Sequence, residues 1–206
     1  MVIQLQKGQK IDLGKTSPGL TKAVIGLGWD IKSYDGGADF DLDASAFLLD
    51  ANGKCTKETD FIFYNNLQSP CGSVLHTGDN RTGEGEGDDE QLVVDLKKVP
   101  ADVHRIAITV TIYDAEGRSQ NFGQVGNAFV RLANEETSEE VLRFDLGEDF
   151  SIETAVVFCE LYRHNGQWKF NAVGSGFQGG LGALVRAYGL DAQKGNDIRF
   201  LFLTFL

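Results

Sequence analysis

The sequence is short of proline, cysteine and clustered basic residues, and each shortage removes a class of protein. Three prolines in 206 residues leave no proline-rich linker or polyproline segment. The three cysteines, Cys55, Cys71 and Cys159, are odd in number, widely spaced and without a CxxC pair. They supply neither a disulfide framework nor a thiolate zinc site, and a reducing cytoplasm is the expected location. No apolar run reaches the roughly 20 residues that cross a bilayer. The opening MVIQLQKGQKIDLG lacks the basic and apolar regions of a signal peptide. No block of Lys and Arg tracks phosphates, so nucleic acid is not an expected partner, and no direct membrane span is expected. The GK[ST] string Gly14-Lys15-Thr16 has Gln9 where a P-loop needs its first glycine, and Gly83, Gly85 and Gly87 do not make GxGxxG and have no helical pattern after them, so neither reads as a phosphate-binding loop. His76, His104 and His164 are scattered without triad spacing, and each reads as a surface or hydrogen-bonded residue. Cys71, beside Pro70, reads as a loop cysteine.

What the chain has is negative charge in two places. The formal net charge is -11. Residues 30 to 43, DIKSYDGGADFDLD, hold five acids and one base. Residues 78 to 90, GDNRTGEGEGDDE, hold six acids and one base, with four glycines among them. These two stretches carry -9 of the total, and the other 179 residues are nearly balanced. Charge serving solubility alone would be spread.

The rest of the sequence reads as strands. β-prone segments fall at residues 2–5, 23–29, 40–49, 61–64, 92–96, 105–113, 128–132, 141–146, 155–162 and 168–173, separated by turn residues. That spacing predicts an all-β fold, a β-sandwich of two mostly antiparallel sheets. Asn165-Gly166 reads as a two-residue hairpin, and Asn52-Gly53 as a turn with no strand directly after it. One short helix is expected near the C-terminus over Gly180–Tyr188, where Leu181, Leu184, Val185 and Tyr188 make an apolar stripe. No repeat or linker divides the chain. Residues 1–192 are read as one domain, and 193–206, containing IRFLFLTFL, as an apolar extension.

A strand through DFDLD turns Asp39, Asp41 and Asp43 to one face and Phe40, Leu42 and Ala44 to the other. Neighbouring aspartates on that face repel by about 0.6 kcal/mol in water and about 2.4 kcal/mol at an effective dielectric near 20. A cation between this face and the second acidic segment reverses the sign of those terms. The donors are almost all oxygen, including Asn80 and loop carbonyls, which excludes the usual zinc and copper sets. A glycine-rich loop with surplus carboxylates favours calcium over magnesium, with enough oxygens for two ions. Asp30, after the core-anchoring Trp29, could add an oxygen, and Asp114 could join from a third strand end or start a turn. Neither acidic string fits an EF-hand: counted from Asp79, Arg81 and Gly83 occupy ligand positions, and counted from Asp39, Ala44 replaces the required glycine.

The strings GLGWD (26–30), DGGADFDLDAS (35–45), DFIFYNN (60–66), GDNRTGEGEGDDE (78–90), RSQNFGQVGNAFVRL (118–132), DFSIETA (149–155), ELYRHNGQWKF (160–170) and GSGFQGGL (174–181) resemble the TerD-type tellurium-resistance and general stress proteins of bacteria. The resemblance runs from about Met1 to about Ala192 and does not cover the extension. It implies a cytoplasmic calcium-binding β-sandwich linked to tellurite resistance and stress tolerance, without catalytic activity. The acidic segments of that family map onto Asp39, Asp41, Asp43, Asp79, Asn80, Asp88, Asp89 and Glu90. Protein partners are expected, among them other tellurite-resistance proteins, one of them membrane-embedded. Two rivals stand beside this reading. One is a calcium-dependent phospholipid-binding module of the C2 kind, disfavoured by the scarcity of basic residues near the acidic strings. The other is a metal-dependent hydrolase, for which nothing fixes a base or nucleophile.

Overall fold

Alternation of apolar and polar residues becomes two stacked sheets in the computed structural model, which describes residues 2–31, 40–77, 87–147 and 150–190. In chain order the strands are β1 (Ile3–Leu5), β2 (Lys10–Asp12), β3 (Lys22–Ile31), β4 (Leu42–Leu49), β5 (Phe61–Ile62), β6 (Val74–His76), β7 (Glu90–Asp95), β8 (Arg105–Ile112), β9 (Val125–Asn134), β10 (Glu140–Asp145), β11 (Ala155–His164) and β12 (Gln167–Phe177). A four-residue helix α1 (Leu13–Thr16) follows β2, and α2 (Gly180–Ala187) follows β12. The first sheet has the order β1-β10-β9-β3-β7-β6, and the second β2-β12-β11-β8-β4-β5. Neighbours are antiparallel apart from β1 beside β10. The expected all-β sandwich is the fold observed. The extension at 193–206 lies outside the described residues.

The main core fills the space between the sheets. Ala23, Ile25 and Leu27 of β3, Leu92 and Val94 of β7, and Val130 and Leu132 of β9 face Leu42, Ala44, Ala46 and Leu48 of β4 and Ile106, Ile108 and Val110 of β8. Each fully buried Leu, Ile or Val contributes about 1.5–3 kcal/mol of transfer free energy. Phe47 and Leu49 sit at the alternate positions of β4 and therefore point to the outer face of the second sheet. A smaller cluster forms there, with Phe61, Phe63, Leu184, Val185 and Leu190. The Phe47 ring stacks on Phe61 at 4.4 Å between centroids and meets Tyr188 at 4.7 Å. Burial of its apolar stripe on this cluster holds α2 in place, since eight residues make only a marginal helix alone. Its start is fixed by Gly179 at φ 95° and by the Gly180 amide donating to Thr154 Oγ1 at 2.8 Å.

Local chemistry explains the turns. Asn165 and Gly166 have φ of 52° and 74°, the two left-handed residues of a tight hairpin, and His164 pairs with Gln167 across it. The Asn52-Gly53 turn is closed by the Asp50 amide donating to the Lys54 carbonyl at 2.8 Å. No strand follows it until β5. Strands β2 and β6, absent from the sequence-based expectation, have three residues each.

Candidate metal centre

The start of β4 and the end of β8 lie side by side, with Leu42 opposite Ile112 and Asp43 opposite Thr111. The register continues outward, and the Tyr113 amide donates to the Asp41 carbonyl at 2.8 Å. As expected from alternation, Leu42 and Ala44 enter the core and Phe40 packs against it. Asp43 is turned to the outer face of the second sheet. There it lines a cavity of about 600 Å³ with Thr111, Asp114, Glu116 and the first turn of α2. Asp114 is a turn residue at φ 46°, its carbonyl accepting the Arg118 amide at 3.0 Å, and it also faces this cavity.

Three consecutive acids at the start of β7 go to three different places. Asp88 lies on the outer face of the first sheet. Arg131 of β9 grips it with Nε and Nη2, both at 2.6 Å, and Gln91 Nε2 donates to it at 2.8 Å. Glu90 is turned inward and is 3% exposed. Its Oε2 accepts the Ala44 amide of the opposite sheet at 2.5 Å and lies 3.5 Å from His76 Nε2. Asp89 stands between them, its Oδ2 accepting the Trp29 amide at 2.8 Å and its own amide donating to the Leu27 carbonyl at 2.7 Å. Burial holds the Asp89 carboxyl above the usual carboxylate range; the Trp29 N–H opposes that shift, and the nearby charges of Asp30 and Asp88 reinforce it.

The end of β3 closes the group. Trp29 is buried, as its anchoring role requires, beside a register shift between β3 and β9 at residues 28 to 30. Asp30 is exposed and accepts Asn127 Nδ2 at 2.7 Å. Asp30, Asp41, Asp43, Asp88, Asp89 and Glu90 thus sit at one end of the sandwich, where β3 stops and β4 and β7 begin. Asp39, Asp79 and Asn80 lie outside the described residues.

This geometry redistributes the roles expected from sequence. Both Asp88 oxygens are engaged by Arg131 and Gln91, and Glu90 ties the two sheets together. Asp89, which accepts the Trp29 amide, Asp30, which accepts Asn127, and Asp41 and Asp43 lie at the same end. Among the described residues, no three of His, Cys, Asp and Glu converge closely enough to hold a metal by themselves. The donor set still fits a hard cation: it is oxygen-only apart from the buried His76, and Asp89 is a partly desolvated acid flanked by like charge. Sequence reading missed Arg131 and Asn127; it read His76 as a surface or hydrogen-bonded residue, and His76 is buried and hydrogen-bonded to Ala44. The first two lie in the string GNAFVRL (126–132), whose polar residues alternate with the buried Ala128, Val130 and Leu132, so period-two reading could have placed them on the outer face.

No helix among the described residues is long and apolar enough to cross a membrane. The chain is 73% identical over 190 residues to an uncharacterized protein of Bacillus subtilis (strain 168), YceE, covering 92% of this chain and 99% of that one. It is 65% identical over 190 residues to general stress protein 16U of the same organism, covering 92% and 98%. It is 58% identical over 193 residues to tellurium resistance protein TerD of Alcaligenes sp, covering 94% and 100%. Among solved structures, a homologue of telluride resistance protein (TerD) from Streptomyces coelicolor A3(2) has the same fold, with a TM-score of 0.65 at 24% identity, covering 81% of this chain and 95% of that one. The TerD domain matches residues 1–188, and the chain belongs to the TerD family.

Proposed function

We propose that this chain is a non-enzymatic, calcium-binding stress-response protein of the cytoplasm. Bound calcium orders the acidic end of the sandwich and so supports docking of protein partners. The relatives' names supply the stress and tellurite-resistance setting. Other tellurite-resistance proteins, including a membrane-embedded one, are the partners this setting suggests. The observation that carries the calcium reading is the convergence of the two acidic stretches. The 2.5 Å bond from the Ala44 amide to Glu90 joins the strand that follows residues 30–43 to the strand that follows residues 78–89. The described parts of the two stretches, with Asp30, Asp41, Asp43, Asp88, Asp89 and Glu90, therefore lie at one end, and the mutual repulsion of such like charge calls for a counter-charge. Asp30, Asp41, Asp43 and Asp89 would hold it with Asp39, Asp79 and Asn80, and the surplus of oxygens leaves room for two ions. Calcium would supply that counter-charge and a centre around which oxygens from both segments assemble.

Scanning calorimetry with calcium and then EDTA tests this. At free calcium a hundred times Kd the folded state gains about 2.7 kcal/mol, which is roughly 5–11 °C in Tm for a domain of this size. The double variant Asp41→Asn/Asp43→Asn should lose most of that response. A wild-type Tm indifferent to calcium would remove the reading. Magnesium at the same concentration should give the smaller shift.

A further inference from the structure

His76 and Glu90 are 2% and 3% exposed, on neighbouring strands of the first sheet, and both are aimed at one residue of the second. His76 Nε2 lies 3.2 Å from the Ala44 carbonyl and 3.5 Å from Glu90 Oε2. The same Glu90 oxygen accepts the Ala44 amide at 2.5 Å. Both groups facing Nε2 are acceptors, so that nitrogen carries the proton. The pairing of β4 with β5 covers only Ala46 and Phe47. Beside Ala44 the two side chains therefore do the work of an absent strand, one taking the N–H and the other serving the C=O. Buried polar groups of this kind are costly unless they satisfy one another, and Leu92, the residue paired with His76 across β6 and β7, belongs to the buried apolar core.

This three-residue latch sits where the acidic segments leave the sheets. Asp43 precedes Ala44 and Asp89 precedes Glu90. His76 lies two residues before the 78–90 stretch and is held in β6 by its amide donating to the Leu67 carbonyl at 2.7 Å. We infer that His76 is a positioning residue for the ion site: by clamping Ala44 and Glu90 together, it sets the separation of the starts of β4 and β7, from which the two acidic segments depart. This inference rests on the calcium reading above. It assigns His76 no contact with the ion.

The experiment is calcium titration calorimetry on the folded protein, paired with melting in EDTA, for wild type, His76→Phe and His76→Gln. Phenylalanine fills the ring volume without a donor, and glutamine retains a side-chain N–H. His76→Phe should weaken calcium binding by about tenfold or more, the usual cost of losing an orienting partner, and His76→Gln should recover most of it. A role in stability alone would lower the EDTA melting temperature of His76→Phe and leave Kd unchanged, and that result overturns the inference. Should His76→Phe not fold, hydrogen exchange on the wild type decides. Calcium should slow exchange of the Ala44 amide, and unchanged exchange there in a protein that binds calcium overturns the inference equally. If the wild type shows no calcium binding, both this and the parent reading fall. Binding with an unaltered Kd in His76→Phe sinks the inference alone.

Discussion

Gly26 and Asp88 fit together only because Gly26 has no side chain: a Cβ there would overlap the Asp88 carboxylate. The backbone of Gly26 is ordinary strand, so the requirement is steric rather than conformational. Gly26→Ala must push Asp88 away from Arg131 and Gln91, leaving a desolvated carboxylate and a displaced guanidinium. The expected loss is about 2–4 kcal/mol, seen as a lower urea midpoint at unchanged slope. A variant as stable as wild type would show that Asp88 has another place to go.

Arg131→Ala probes the same contact from the other side. The Asp88 side chain is 1% exposed and that of Arg131 24%. Removal leaves a buried negative charge with Gln91 as its remaining described donor. Because Arg131 is partly solvated, the cost should fall near the lower end for a broken buried pair, about 2–3 kcal/mol. The Arg131→Ala/Asp88→Ala double variant should be more stable than the sum of the singles predicts, by about 1–3 kcal/mol. Additive losses measured by urea unfolding would mean the two residues do not act as a pair.

These contacts mark where sequence reading stops. The sandwich was legible because β-prone segments recur between turn residues, although only a few strands such as β7 alternate cleanly, and because the Asn165-Gly166 turn has one geometry. The orientation of Leu42 and Asp43 followed from period two alone. The same rule does not reach Asp88, Asp89 and Glu90: period two would put Asp88 and Glu90 on one face, yet Asp88 lies outside with Arg131 and Glu90 inside with Ala44, because regular strand begins only at Glu90. What no local pattern could supply was the identity of the partners. Arg131 is 43 residues from Asp88, and Ala44 is 46 from Glu90. Those pairings exist only once β9 lies two strands from β7 and β4 faces it from the other sheet. β2 and β6 went unread, whereas β1, equally short and also at a sheet edge, was expected because Val2, Ile3 and Leu5 are β-prone or apolar residues.

The cysteines should react in a fixed order. Burial pushes the Cys55 thiol up to about 12, with Asp60 adding to it, and burial raises Cys159 well above its ordinary value. Cys71 is half-buried. Burial works against its ionisation, but hydrogen bonding with Ser69 and Ser73, at 3.4 and 3.0 Å, outweighs that and lowers its pKa. A disulfide reagent at neutral pH should therefore modify Cys71 alone in the native protein, with Cys55 and Cys159 reacting only after denaturation. Peptide mapping of the labelled protein checks the order, and Ser73→Ala should slow the native reaction.

Asp89 should change sign as a stability determinant when calcium is added. Its folded-state pKa is raised above the ordinary 3.8, so ionising it costs more in the folded chain than in the unfolded one. In metal-free protein its contribution is neutral at pH well below 3.8. It turns destabilising as pH rises through the window from 3.8 up to the raised folded value, and stays so at neutral pH. Asp89→Asn keeps an acceptor for the Trp29 amide and removes the charge. In EDTA at neutral pH the variant should melt above wild type, and the difference should vanish at low pH. A carboxylate that serves a cation gives the opposite order once the cation is present, because the variant forfeits part of the binding free energy that stabilises wild type. Melting curves of both proteins, with EDTA and with calcium, should therefore cross. If wild type is the more stable in both, Asp89 is a structural acceptor for Trp29 and not a strained acid awaiting a counter-ion.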